Sequence, residues 1–223
     1  MAKRKLKKFA EVNSFDNCFF LSYEASKAEG LSLKGKWHNN YFKNNNPIVL
    51  ELGCGKGEYT VGLAQRYPDK NFVGVDIKGN RIWTGAKAAV ENKMNNVAFI
   101  RTRIDYIDRC FATDEVDEIW ITFPDPQPQK TRARNRLTNM MFIDRYKKFL
   151  KKGGSIHLKT DNEPFYNFTR EIVTENKMEL VDATNNLYAD TIQWDEEITA
   201  IKTYYEKKFS EMGFKICYLK FKV

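Results

Sequence analysis

The chain has 223 residues, of which 42% are hydrophobic, so it is long and apolar enough for one large α/β domain, and wholesale disorder is excluded. Lysine and arginine outnumber aspartate and glutamate by 37 to 29, which gives a formal net charge of +8 at pH 7. This charge favours an anionic partner, nucleic acid first and acidic lipid second, over a basic protein that binds neither.

Residues 1–45 form a predicted N-terminal arm that is basic at its start and aromatic afterwards. Pro47 marks its boundary with a domain over residues 46–223, in which strand-like and helix-like runs alternate. We predict seven strands, over residues 48–53, 71–77, 97–102, 118–123, 155–160, 178–184 and 215–221. We predict helices over residues 58–68, 80–94, 140–154 and 162–176, the third ending at a Gly-Gly pair.

This alternation of strands and helices predicts an α/β fold with a doubly wound, mostly parallel sheet and helices on both of its faces. Sheets of this kind bind ligands at the carboxyl ends of their strands. The polar residues singled out below follow predicted strands, so we expect them to meet at one edge of the sheet.

Positive charge is concentrated in one part of the chain. Residues 130–152 contain nine lysines or arginines and a single acid, Asp144, and the N-terminal KRKLKKF adds a second basic run. Because each neutralised phosphate releases condensed counterions, such runs are typical of nucleic-acid contacts. An exposed basic loop without a ligand is the alternative.

Cysteine and histidine usage argues against a disulfide framework or a metal site, since the four cysteines form no CxxC pair and His38 lies far from His157 in the sequence. No apolar run approaches the roughly 18 residues of a membrane span, and no apolar core follows the basic N-terminus. We therefore expect a cytoplasmic protein, either monomeric or homodimeric.

The stretch VLELGCGKGEY places Gly53, Gly55 and Gly57 between a predicted strand and a predicted helix. Its G-x-G-x-G spacing differs from the dinucleotide-binding G-x-G-x-x-G. Glu51 precedes the loop, and Asp76 follows the next strand, where an acid accepts both ribose hydroxyls of an adenosine. Together these residues favour S-adenosylmethionine over NAD, with a purely structural loop as the remaining alternative.

At this point the sequence resembles a known family. ELGCGKG, VGVDIKGNRI, ITFPDPQPQK, GGSIHLKTDN and TYYEKKF, in this order and at these separations, are similar to motifs of the bacterial tRNA (guanine-N7-)-methyltransferases, over roughly residues 46–223. The resemblance implies a seven-stranded Rossmann-like methyltransferase sheet. It also implies methyl transfer from S-adenosylmethionine to N7 of a guanine in the tRNA variable loop.

The resemblance assigns roles by position. It implies that Asp125 of FPDP is the active-site aspartate and also contacts the cofactor. The implied cofactor-binding residues are Glu51, Gly53, Gly55, Asp76, Arg103 and Asp105. The implied substrate-binding residues are Gln129, Lys130, Arg132, Arg134, Asp161, Thr203, Tyr205 and Glu206, with Tyr204 at the variable place of the T-x-Y-E segment. No metal is implied.

Three departures from the family pattern stand near the predicted site. Gln127 replaces a common tryptophan, and Gln129 replaces a common substrate-binding lysine, whose charge Lys130 supplies one residue later. After the third strand, Arg103 stands at the place of the usual acid, with Asp105 two residues further on.

The chemistry suits these residues. Guanine N7 has a free lone pair, so methylation needs orientation rather than a general base. We expect Asp125 to accept hydrogen bonds from guanine N1–H and its 2-amino group and to stabilise the positive charge that the purine acquires. The neighbouring prolines stiffen the loop, and Lys130, Arg132, Arg134 and Arg136 are expected to hold the tRNA backbone.

Other interpretations remain. The chain is compatible with a class I methyltransferase that acts on another substrate, or with a tRNA-binding module that has lost catalysis. Asp161 is also suited to capping a helix, and the T-x-Y-E segment to starting one. His157, Trp83 and Trp120 are expected to fill core space, and Cys54 to provide only a small side chain.

Overall fold

The structure is a computed structural model that describes residues 2–189 and 191–223, with side chains from Leu6 onward. Of the N-terminal cations, Lys3, Arg4 and Lys5 have side chains outside the described part of the protein.

Eight strands form one mostly parallel sheet, in the order β1-β4-β3-β2-β5-β6-β8-β7. Only the pairs β6–β8 and β8–β7 are antiparallel. The bounds are β1 Cys18–Phe20, β2 Ile48–Leu52, β3 Asn71–Asp76, β4 Val97–Arg101, β5 Val116–Thr122, β6 Leu150–Thr160, β7 Glu179–Thr184 and β8 Cys217–Lys222. The predicted α/β, doubly wound sheet is confirmed; its seven predicted strands are β2 to β8, and β1 is additional.

Eight α-helices connect and flank these strands within residues 2–189 and 191–223. They are α1 Ala2–Glu11, α2 Tyr23–Lys27, α3 Glu58–Arg66, α4 Gly79–Glu91, α5 Met140–Tyr146, α6 Glu163–Glu175, α7 Glu196–Thr199 and α8 Tyr204–Glu211. None of the described helices is long and apolar enough to cross a membrane.

The helix predicted over residues 140–154 is wrong after Tyr146. Leu150 instead pairs with Val116 at the start of β6, and a register shift follows in which Gly153 takes a φ of 76°. Residues 147–154, KKFLKKGG, have neither strict alternation nor a clear helical period, and pairing with β5 decides the structure because it buries Leu150.

The strand order changes direction at β2: β3 and β4 lie on one side of it, and β5 and β6 lie on the other. Strands β2 to β6 run parallel, so their carboxyl ends open at the same edge. Ligand sites of doubly wound sheets occupy this switch point. The glycine loop follows β2, and the proline-flanked aspartate follows its neighbour β5.

A hydrophobic core packs on each face of the sheet. Trp120 of β5 stacks on His157 of β6 with ring centroids 4.0 Å apart, and His157 Nδ1 lies 2.8 Å from the Tyr218 hydroxyl. Burial holds the pKa of His157 well below its ordinary value, so the ring is neutral. The prediction that His157 and Trp120 are core residues is confirmed, and Trp83 is partly buried against the same core.

Much of the predicted N-terminal arm packs onto the sheet. β1 pairs with β4, and Trp37 is fully buried. The buried Glu115 carboxylate accepts hydrogen bonds from the backbone N–H groups of Gly35, Trp37 and Ala112. These contacts join residues 18–37 to the rest of the fold, and a domain boundary after residue 45 stays a prediction.

Candidate active site

The glycine loop between β2 and α3 faces open space on one side. Gly53 and Gly55 have φ of 76° and 57°, and a Cβ at either position meets no atom within 4 Å. At Gly57, by contrast, a Cβ would lie 2.7 Å from the Phe99 ring. Gly57 is therefore required for packing, whereas Gly53 and Gly55 leave a cradle that a side chain would fill.

Asp76, the last residue of β3, holds this loop in place. Its two carboxylate oxygens accept hydrogen bonds from the Gly55 and Lys78 N–H groups, at 3.0 and 2.7 Å. Because each carboxylate oxygen accepts more than one hydrogen bond, Asp76 still has acceptor capacity toward a ligand.

Glu51 lies beneath the loop, almost fully buried. One carboxylate oxygen accepts from the backbone N–H of Thr60, at 2.9 Å, and from its hydroxyl, and the other accepts from the Thr122 hydroxyl at 2.6 Å. Burial raises the pKa of Glu51 to about 7, although these hydrogen bonds favour the charged form. Glu51 thus joins β2, α3 and β5 under the predicted cofactor site.

A cavity of about 400 Å³ opens beside the loop. It is lined by Gly53, Asp76, Ile77, Thr102, Arg103, Ile104, Asp105, Asn135, Leu137 and Phe142. Four predicted cofactor residues therefore meet here, and Arg103 Nε lies 3.2 Å from Asp105. Ile77 is 54% exposed, which is unusual for an apolar side chain that follows a buried strand, and it gives the cavity an apolar wall.

A second cavity, of about 170 Å³, adjoins the first across Gly53. It is lined by Gly53, Cys54, Gly55, Lys56, Glu58, Arg81, Thr122, Phe123, Thr203, Tyr204 and Tyr205. Two predicted substrate residues, Thr203 and Tyr205, thus lie against the glycine loop although they are about 150 residues away in sequence. Because both cavities are lined by Gly53, they lie side by side along one groove at this edge of the sheet.

The loop after β5 is held in an unusual conformation. Phe123 and Gln127, at its two ends, have φ of 47° and 46°, in the left-handed region that non-glycine residues seldom adopt. Asp125 between them is exposed and accepts the Gln127 N–H at 3.1 Å. Its carboxylate lies outside the lining of both cavities.

Arg136 fixes this loop from below. Its Nε lies 3.2 Å from the Pro126 carbonyl and its Nη2 3.2 Å from the Gln127 carbonyl, and its guanidinium lies 4.4 Å from the Phe168 ring centre on α6. Arg136 therefore helps to shape this loop from within the protein, and its expected contact with a tRNA phosphate stays a prediction.

The cations of the basic run that follow Asp125 most closely point outward, whereas Arg145, Lys148 and Lys151 later in the run pair with Asp108 or Asp117. Residues Lys130–Asn135 form a short 3-10 helix, and the side chains of Gln129, Lys130, Arg132 and Arg134 are exposed. Their sequence spacing predicts a shared basic surface, and they stand just beyond the Asp125 loop. Phosphate binding by these residues stays a prediction.

The late T-x-Y-E segment begins α8. The Thr203 side chain caps this helix by accepting the Glu206 N–H at 3.1 Å. Glu206 is fully buried, with one carboxylate oxygen 2.7 Å from Lys159 Nζ and 2.5 Å from the Tyr188 hydroxyl. Burial lowers the pKa of Lys159, and Glu206 opposes that shift. Of this segment, the structure thus brings Thr203 and Tyr205 to the cavity and turns Glu206 inward.

Asp161 follows β6 at the same edge and is partly buried, which raises the pKa of its carboxyl group. The helix cap that Asp161 was suited to provide is instead provided by Asn162, whose side chain accepts the Phe165 N–H. Asp161 is left available to a ligand, and its role in substrate binding stays a prediction.

Several residues that shape this site were not predicted from the sequence. Thr60 and Thr122 hold Glu51, and Lys56 and Arg81 line the second cavity. Hydroxyl and basic side chains are common in loops and helix starts, so no pattern marks them. Ile77 could have been predicted, because an apolar residue directly after an acid at the end of a strand is suited to contact the apolar face of a ligand.

Because Glu51 is buried and its pKa is raised, we expect the free energy of unfolding to depend on pH. The pKa of Glu51 is about 7 when folded and near 4.5 when unfolded, so the unfolded state ionises first as pH rises. The contribution to stability is complete below pH 4.5 and is lost as pH rises through 7, by roughly 3 kcal/mol at most. Urea unfolding from pH 4 to 8 should therefore show wild type losing stability relative to Glu51→Gln, whereas parallel curves would contradict this role.

The sequence and the fold are both similar to those of known proteins. Residues 45–219 match the family model described as "Putative methyltransferase". A solved antibiotic-related methyltransferase shares the fold with a TM-score of 0.63 and 13% identity, over 86% of this chain and 95% of that one.

Two curated relatives named tRNA (guanine-N(7)-)-methyltransferase are each 50% identical to this chain. The one from Christiangramia forsetii matches over 100% of this chain and 99% of its own length. The one from Bacteroides fragilis matches over 99% of this chain and 86% of its own length. With half of its residues shared over its whole length, the chain belongs to the tRNA (guanine-N(7)-)-methyltransferase family.

Proposed function

We propose that this protein transfers a methyl group from S-adenosylmethionine to N7 of a guanine in the variable loop of tRNA. The observation that carries the proposal is the pair of cavities that meet at Gly53, one beside Asp76 and the other beside Phe123, the first residue of the Asp125 loop. They provide neighbouring positions for a methyl donor and an acceptor base at the carboxyl edge of the sheet. The proposed substrate is consistent with action in the cytoplasm.

The residues of the first cavity fit the proposed donor. Gly53 and Gly55 leave the open cradle, Asp76 has acceptor capacity for ribose hydroxyls, and Ile77 and Ile104 offer apolar contact to an adenine ring. When bound, S-adenosylmethionine supplies a methyl carbon that leaves its sulfonium sulfur, with the S–C electrons staying on sulfur, as guanine N7 donates its lone pair.

The protein's own contribution is then orientation and electrostatics. Because N7 carries no proton, no side chain has to act as a base, and fixing two reactants in line supplies roughly 7–11 kcal/mol. The Glu51 network holds the floor shared by the two cavities, and the capped start of α8 supplies the wall opposite the glycine loop.

We assign Asp125 to guanine recognition. Its carboxylate would accept the N1–H and 2-amino hydrogens that adenine does not present in this pattern, and it would stabilise the charge that develops on the methylated ring. Asp125 is exposed before any base is bound, which suits a residue that meets an incoming ligand. Arg136 and the left-handed backbone at Phe123 and Gln127 would hold it in position.

The exposed cations Lys130, Arg132 and Arg134 would bind the phosphates next to the extruded guanine. Extrusion of a base costs a few kcal/mol, which phosphate contacts can offset. Asp161 and Gln129, at the same edge, would complete the polar contacts to the nucleotide.

Incubating the purified protein with S-adenosylmethionine and unmodified tRNA, then digesting the tRNA to nucleosides, tests the activity directly. We expect 7-methylguanosine as the product. Another methylated nucleoside, or methylation of a different substrate class alone, would favour the alternative methyltransferase. Donor-independent tRNA binding with no product would favour an inactive binding module.

Asp125→Ala should lower the methylation rate at least 100-fold, because it removes both the guanine acceptor and the compensating charge. Asp125→Asn retains an acceptor for the Gln127 N–H but lacks the charge and replaces the second acceptor oxygen by an NH2 donor, so a loss of similar size is expected. Calorimetry with the donor should give an affinity near wild type for both variants. A variant that methylates at the wild-type rate would remove Asp125 from the mechanism.

Gly55→Ala should weaken donor binding at least tenfold, because the added methyl group fills the cradle. Gly213→Ala is its matched control: Gly213 also has positive φ, 82°, and no atom within 4 Å of a Cβ, but it lies at the far end of α8. Both variants should lose about 1 kcal/mol of unfolding free energy from the strained backbone. Equal donor affinities in the two variants would contradict the proposed cradle.

Arg136→Gln and Arg132→Gln should impair methylation through different kinetic constants. Loss of the carbonyl contacts displaces the Asp125 loop, so Arg136→Gln should lower kcat by about 10- to 100-fold and leave the salt dependence of tRNA binding unchanged. Arg132→Gln should raise KM for tRNA and flatten the salt dependence by about one unit of slope. The reverse pattern would show that Arg136 binds a tRNA phosphate.

A further inference from the structure

Helix α8 and the turn after it carry a series of exposed aromatic rings, which we call the aromatic row: Tyr204, Tyr205, Phe209 and Phe214. Successive ring centroids are 5.5, 6.1 and 5.8 Å apart. Tyr204, Tyr205 and Phe214 are 52%, 41% and 49% exposed, and Phe209 joins them from a partly buried position. A contiguous exposed apolar surface of this kind marks a binding site more often than a structural need.

The row begins at the second cavity and leads away from it. Tyr204 and Tyr205 line that cavity, and Phe123, the first residue of the Asp125 loop, stacks on Phe209 with centroids 6.4 Å apart. Phe214 lies outside the lining of both cavities. The row therefore continues the groove beyond the space for a single base.

Lysines outnumber acids around the row, although the exposed Glu58 of α3 lies beside Tyr204. Lys56 Nζ lies 4.8 Å from the centre of the Tyr204 ring. Over residues 202–215, four exposed lysines accompany one exposed acid, Glu211, because Glu206 is turned into the core: Lys202, Lys207, Lys208 and Lys215. A second copy of this surface would bring like charges together, whereas aromatic rings between cations suit unpaired nucleotides, with bases on the rings and phosphates at the lysines.

The start of α8, which carries the first two rings of the row, is anchored to the rest of the protein. The Tyr204 N–H donates to Glu58 of α3 at 2.9 Å, Thr203 caps α8, and the buried Glu206 pairs with Lys159 of β6. A backbone that is fixed before binding lowers the conformational entropy that binding costs. The buried pair thus supports the row even though neither residue reaches the surface.

We propose that the aromatic row stacks the unpaired bases that flank the methylated guanine, with Phe214 contacting a nucleotide at least one step away from it. This inference rests on the proposed function, since it takes single-stranded tRNA nucleotides as the occupant. It gives the enzyme a preference for an unpaired stretch of RNA over a lone guanine.

The test compares Phe214→Ala and Tyr204→Ala with Tyr204→Phe, which keeps the ring, and with Leu180→Ala, an exposed apolar control on β7. Binding of unmodified tRNA and of a duplex RNA is measured across a salt series. We expect each loss of a ring to weaken tRNA binding by about 5- to 100-fold with an unchanged salt slope, and duplex binding to stay as in wild type. Tyr204→Phe and Leu180→Ala should bind tRNA like wild type.

Equal tRNA affinity in Phe214→Ala, Tyr204→Ala and wild type would overturn the inference, and so would equal losses for tRNA and duplex. A dimer in sedimentation that dissociates in these variants would overturn it too, by assigning the row to a contact between copies. Failure of the proposed function shows separately, as wild-type protein that yields no 7-methylguanosine while the ring variants still lose tRNA affinity.

Discussion

A buried carboxylate is the interaction on which the site depends. Glu51 lies at the carboxyl end of the central strand and accepts hydrogen bonds from a helix on one side and from the neighbouring strand β5 on the other. An ionised group in this position is costly, which is why its pKa is raised to about 7, and the hydrogen bonds from Thr60 and Thr122 offset part of that cost. The glycine loop and the Asp125 turn are therefore anchored to one point.

Charge is divided by depth across this edge of the sheet. Glu51 and Asp76 stabilise the backbone close to the sheet, and Asp125 and the cations Lys130, Arg132 and Arg134 are exposed. Arg136 differs from these cations because it donates hydrogen bonds to two carbonyls and lies against Phe168. The basic run thus contains arginines that contact the protein, such as Arg136 and Arg145, and arginines that face solvent, such as Arg132 and Arg134.

The sequence allowed the fold and the main acids to be predicted because both follow from local periodicity and position. Strand-end residues such as Asp76 can be located once the strands are. The strand of residues 18–20 could not be predicted, because three residues are too few to show the alternation of a strand. Leu150 lies in a strand instead of the predicted helix because it pairs with β5, which is distant in the sequence. The inward turn of Glu206 depends on Lys159, 47 residues earlier, and no spacing rule connects the two.

The left-handed backbone at Phe123 and Gln127 affects the order in which parts of the newly synthesised protein can fold. Such conformations persist only where neighbours enforce them, and here the neighbours are Arg136, Phe168 and Phe209, all later in the chain. During synthesis on the ribosome, the glycine loop, Glu51 and Asp76 emerge before the residues that hold the turn after β5. That turn therefore reaches its final conformation only when α8, the last described helix, has left the ribosome.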